Sequence, residues 1–146
     1  MALFEKIFNT LEPSDMKNKK SHIKNLYSVA MADGILENGE FEFMLSVADK
    51  LYISRETVNH VVKFPEDIAF YVPTHDREKL DQIHDCVCMA MIGGQIDERE
   101  ISICKLISVK MGFRPIVVDK LIHEIITSII KGVASEFALR KLLKEL

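Results

Sequence analysis

Apolar residues recur along this chain at the three- and four-residue spacing of amphipathic helices, broken by a few short turns. Leu3, Phe4, Ile7, Phe8 and Leu11 mark a short first helix. Pro13 ends it, because proline disfavours helical geometry in the residue before it and lacks an amide donor. Ile23, Leu26, Tyr27, Ala30 and Met31 share the next stripe, which closes at Gly34 as a C-terminal cap. Phe41, Met44, Leu45, Ala48 and Leu51 define a third helix. Ser54 then caps a fourth, with Val58, Val61 and Val62 on its apolar face. Phe64-Pro65 breaks that helix, and Glu66 to Tyr71 reads as a single helical turn. Thr74 is the expected cap of a long helix carrying Leu80, Ile83, Val87, Ala90 and Met91, which stops at Gly93-Gly94. Ile101, Cys104, Leu106, Ile107 and Met111 follow, up to Gly112, and Pro115 opens the helix after that. Leu139, Leu142, Leu143 and Leu146 mark a final helix over the tail.

The pattern repeats. At a constant offset of 60 and without a gap, Ile23, Ala30, Met31, Gly34, Glu40, Lys50 and Val58 match Ile83, Ala90, Met91, Gly94, Glu100, Lys110 and Val118. Leu26/Cys86, Leu36/Ile96, Phe41/Ile101 and Val61/Leu121 match in character. Each unit reads as helix, acidic turn, helix, short turn, helix. The expected fold is an all-α single bundle of seven to eight helices. Two tandem three-helix repeats build it, one over about 21–64 and one over about 75–131, with flanking helices over 1–11 and 135–146 in one domain. A chain of 146 residues is long enough to bury about two-thirds of its unfolded surface. Only 6 Gly and 4 Pro leave the long uninterrupted runs that helices need.

Charge narrows the function classes. A net charge of −3 and a pI near 6.0 lack the basic footprint of a nucleic-acid binder. Lys17, Lys19 and Lys20 form the tight cationic cluster and are expected in a solvated loop. The first residues, Met1-Ala2-Leu3-Phe4-Glu5-Lys6, carry charges inside their apolar pattern, which reads against a secretory leader. The most apolar tract, Val117 to Val133, is interrupted by Asp119, Lys120, His123, Glu124 and Lys131, so no membrane insertion is expected. An odd number of cysteines, three, points to a reduced, cytoplasmic protein.

The candidate chemistry lies in the turn Asp33-Gly34-Ile35-Leu36-Glu37-Asn38-Gly39-Glu40 and its echo Gly93-Gly94-Gln95-Ile96-Asp97-Glu98-Arg99-Glu100. With Gly34 as the invariant glycine of an EF-hand loop, Glu40 falls on the final ligand position, but Val29 and Met31 fall on the first two. The second turn offers Met89, Met91 and Gly93 there, so the EF-hand fails on ligand count. Asp97 with Glu100 three residues on has the spacing of a capping box, and acids near a helix start favour its dipole without any ion. His84 and Cys88 share a helix face and could ligate zinc, but Cys86 lies off it and no second pair follows. The repeat assigns Cys86, Cys88 and Cys104 to positions held by Leu26, Ser28 and Met44, as small buried residues. Phosphate-binding glycine loops, nucleophile elbows and His-Glu-x-x-His pairs are absent from the sequence.

Ala30-Met31-Ala32-Asp33-Gly34-Ile35-Leu36-Glu37-Asn38-Gly39-Glu40, followed by Ala48-Asp49-Lys50-Leu51-Tyr52-Ile53-Ser54, resembles the alanine-aspartate-glycine segment of TerB-like domains. That family includes the tellurite-resistance protein TerB and the N-terminal domain of DjlA-type membrane co-chaperones. The resemblance covers roughly Ser21 to Lys131. It implies a non-enzymatic helical module of stress response that binds a divalent ion (calcium, magnesium or zinc) at acidic helix junctions, or presents them to a protein partner. Carried onto matching positions, the metal candidates are Asp33, Glu37 and Glu40, with Asp97 and Glu100 in the second turn. Gly93 stands where a second aspartate would be expected, which leaves one site, or one shared by both turns, rather than two symmetric ones. The alternative is a co-chaperone-type interaction domain whose acids only cap helices and whose partner binds an apolar groove. A homo-oligomer is compatible with either.

Overall fold

The computed structural model describes residues 12–133 and 135–145, and the expected helix over Leu3 to Leu11 lies outside them. Seven α-helices follow one another: α1 (Ser14–Ala30), α2 (Asn38–Lys50), α3 (Arg55–Lys63), α4 (Asp76–Ala90), α5 (Glu98–Lys110), α6 (Pro115–Ile130) and α7 (Ser135–Glu145). Two 3-10 turns, Met31–Asp33 and Pro65–Asp67, complete the regular structure, and there are no strands among the described residues. The fold is the expected all-α bundle.

Local chemistry explains the boundaries. Pro13 occupies the cap position of α1, so the helix begins at Ser14, earlier than the apolar stripe alone suggests. The Lys17, Lys19 and Lys20 cluster therefore lies on a helix, not in a loop. Lys19 pairs with Asp15 one turn back at 3.2 Å, and Lys20 with Glu12 at 2.8 Å. Ser54 accepts the amide of Thr57 at 3.1 Å and starts α3. The expected cap Thr74 stands too early, because α4 begins at Asp76 with His75 in the cap position. The turn expected over Glu66 to Tyr71 contracts to Pro65–Asp67, and extended backbone follows at Ile68.

One apolar core runs through both units. α1 and α4, the first helices of the two repeats, pack on each other, each flanked by later helices of its own unit. Ile23, Leu26, Leu80 and Ile83 are fully buried in that core, with Met44 from α2, Cys104 from α5 and Ile125 from α6. α7 closes over α4 and α6 with Leu139 and Leu142.

The seam between α1 and α4 is also polar. Asn18 Nδ2 donates to Glu78 at 2.5 Å, Gln82 donates to Asn18 Oδ1 at 2.9 Å, and His22 Nε2 meets Asp85 at 2.9 Å. Asn18 and Glu78 are equivalent positions across the offset of 60. Contact between equivalent positions is the signature of a two-fold relation between the units.

Tyr52 breaks the symmetry. It holds a left-handed φ of +58°, and its repeat partner, Gly112, holds +104°. A side chain in that conformation crowds its own backbone. Tyr52 is 92% exposed, so removing the ring forfeits little packing. Tyr52→Gly is expected to raise stability by about 1 kcal/mol, as the urea midpoint at unchanged slope would show.

Candidate functional site

Each acidic turn is built by its own backbone needs. After the 3-10 turn, Gly34 takes a φ of +87°, and the equivalent Gly94 takes +83°. Asp33 Oδ1 accepts the amide of Ile35 at 2.9 Å, fixing the chain as it leaves the glycine. Glu37 then caps α2. Its carboxylate accepts the Glu40 amide while Glu40 Oε1 accepts the Glu37 amide at 2.9 Å, a reciprocal capping box. In the second turn Asp97 caps α5, accepting the Arg99 amide at 2.8 Å and the Arg99 guanidinium at 2.9 Å. The box expected of Asp97 and Glu100 does not close: Glu100 Oε1 is buried with no hydrogen-bond partner. The box forms in the first turn instead.

The fold brings the two turns face to face. Gly39, at the start of α2, faces Ile92 of the second turn, where a β-carbon at 39 would come into van der Waals contact with Ile92 Cγ2 at 3.4 Å. Between the turns lies an open cavity of about 280 Å³, lined by Asp33, Glu37 and Glu40 from one and Asp97 and Glu100 from the other. All five sequence candidates therefore face one space. Ile92, Gly93, Gln95 and Ile96 complete its wall.

The five acids differ in environment. Asp33, Glu37 and Asp97 are partly or largely exposed, whereas Glu40 and Glu100 are only 5% and 6% exposed. Burial pushes the Glu100 carboxyl up to about 8, and the neighbouring Glu40 carboxyl, by hydrogen bond and by charge, pushes the same way. Like Asn18 and Glu78, Glu40 and Glu100 are equivalent positions that meet. At neutral pH the Glu100 carboxyl therefore keeps its proton. Asp97 moves the other way, held below the usual carboxylate range by its hydrogen bonds from Arg99. Among the described residues, no group of three or more His, Cys, Asp or Glu side chains stands close enough to hold a metal ion as arranged.

The cysteines do not form a second centre. Cys88 Sγ lies 3.6 Å from His84 Nδ1 on one face of α4, and burial pushes its thiol up to about 11. Burial likewise pushes Cys104 up to about 12 and Cys86 well above its ordinary value. Thiols held protonated are poor nucleophiles, which fits the places of Cys86 and Cys104 in the apolar core and of the half-buried Cys88 at its edge. The polar α1–α4 seam has one sequence signal, the helical stripe shared by Asn18, His22 and Asn25, all of them buried.

No helix among the described residues is long and apolar enough to cross a membrane. No family model, curated protein or solved structure matches the chain.

Proposed function

We propose that this chain is a non-enzymatic, TerB-like helical binding module whose site is the cavity between its two acidic turns, and that the site takes a cation. The observation that carries this reading is the convergence of five carboxylates from both repeats on one cavity, two of them buried. Capping accounts for Glu37 and Asp97 and for one oxygen of Glu40. It leaves Glu100, whose buried carboxyl serves no helix end and has only the Glu40 carboxyl beside it, with one oxygen still unpartnered, which is costly. A divalent ion supplies compensating charge. An oxygen-only donor set suits calcium or magnesium better than zinc, with water completing the shell.

Millimolar calcium, magnesium or manganese is expected to raise the melting temperature, because an ion bound only by the folded state stabilises it. Asp33→Asn with Asp97→Asn should abolish the rise, since the amides keep a capping oxygen and remove two charges. A melting temperature unmoved by all three ions would dispose of the divalent-ion reading.

A further inference from the structure

The cavity's shape and rim point beyond a bare ion. Calcium draws its oxygen ligands to within about 2.6 Å of its centre. The carboxylates here line about 280 Å³, more room than one bare ion fills. That volume suits a side chain. Ile96 lines the wall at 42% exposure, and in the facing turn Ile35, whose amide is tied to the lining residue Asp33, stands 62% exposed. The mouth therefore presents bare apolar surface immediately beside the acids. A small hydrated ion leaves such surface uncovered; a partner chain covers it.

Resting on the reading of this cavity as a cation site, we propose that it receives an arginine side chain of a partner protein, the guanidinium lying toward Glu40 and Glu100 and the partner's flanking apolar residues covering Ile35 and Ile96. The chemistry matches at each level. A guanidinium carries five N–H donors in a rigid fork and no acceptor, which suits a cavity lined by carboxylates from both turns, where one buried oxygen of Glu100 still lacks a partner. It is weakly hydrated and planar, so it tolerates a half-enclosed site better than a lysine ammonium does. Its three-carbon stem can lie along Ile92 and Ile96. The chain's own Arg99 already pairs with Asp97 at the edge, a local precedent for the contact.

The test is a set of amide chemical-shift titrations of the full chain with the capped peptide Ile-Arg-Ile, its lysine and citrulline versions, and calcium chloride. The arginine peptide is expected to shift the amides of Gly34, Gly94 and Glu100 and to bind about tenfold more tightly than the lysine peptide, with citrulline inactive. Ile35→Ser, outside the cavity lining, should weaken the arginine peptide and leave any response to calcium unchanged. Arginine and lysine peptides of equal affinity, or shifts confined to other surfaces, would overturn the proposal. A response to calcium without one to the arginine peptide would overturn it and leave the ion reading standing. Silence from both would remove the two together.

Discussion

Glu100→Gln is expected to remove a decline in stability that the natural chain shows as the pH rises from about 5 to 8. The Glu100 carboxyl, ordinarily near 4.5, is pushed up to about 8 in the folded state by burial and by Glu40. Between those values the folded chain holds a proton that the unfolded chain has released. A group raised in this way contributes its full stability below the unfolded value, and the contribution is lost as the pH climbs through the folded one. The slope for one such proton is at most about 1.4 kcal/mol per pH unit. A glutamine at 100 cannot ionise, and its amide can donate to Glu40 at every pH. His84, whose ring burial holds below its ordinary value, is common to both proteins and cancels in the difference. Urea denaturation at pH 5.5, 6.5, 7.5 and 8.5 should show the variant gaining on the natural chain at each step. Parallel curves would mean that the folded chain does not hold a proton on Glu100 in this range.

Ile23→Ala and Ile83→Ala should each cost about 2–5 kcal/mol. The two isoleucines are equivalent positions of the repeats, on α1 and α4, and both are fully buried. Deleting three carbons from either loses transfer energy and leaves a cavity that close-packed neighbours fill only in part. A domain of ordinary stability, about 5–15 kcal/mol, loses a large share of it to one such change. The two costs should not add, because the residues sit in one packed interface. Ile130, 68% exposed at the end of α6, is the control, with an expected change within about 0.5 kcal/mol. A loss below about 1 kcal/mol at Ile23 or Ile83 would show that the repeats do not depend on a common core.

Much of the architecture was legible because helices write their buried faces at a fixed period. Ile23, Leu26 and Ala30 marked the stripe of α1, and the ungapped offset of 60 carried it to Ile83, Cys86 and Ala90. The limits were less legible. Proline at 13 admits a helix start as readily as a stop, and the three lysines after it look like a loop until their i,i+4 partner is seen. Asn18, His22 and Asn25 look like a solvent face in sequence. What buries them is the meeting of α1 with α4, a long-range event that a local pattern does not encode.

The site divides in the same way. Turn position and family resemblance single out Asp33, Glu37, Glu40, Asp97 and Glu100, and the fold gathers all five around one cavity. Their spacing could not show that the two glutamates at equivalent positions would be the buried pair, nor that the reciprocal box would close on Glu37 and Glu40 while Glu100 was left free of capping. Two like turns facing each other across a two-fold relation bring their last acids together, and no single turn contains that information.

We propose one cation site shared by the two turns, not two. Calorimetric titration of the full chain with calcium, repeated on Asp33→Asn and on Asp97→Asn, addresses it most directly. One ion per chain is expected, with affinity lowered by either substitution, since each removes a charge from the same cavity. Two ions per chain, or a loss confined to one of two independent sites, would contradict it.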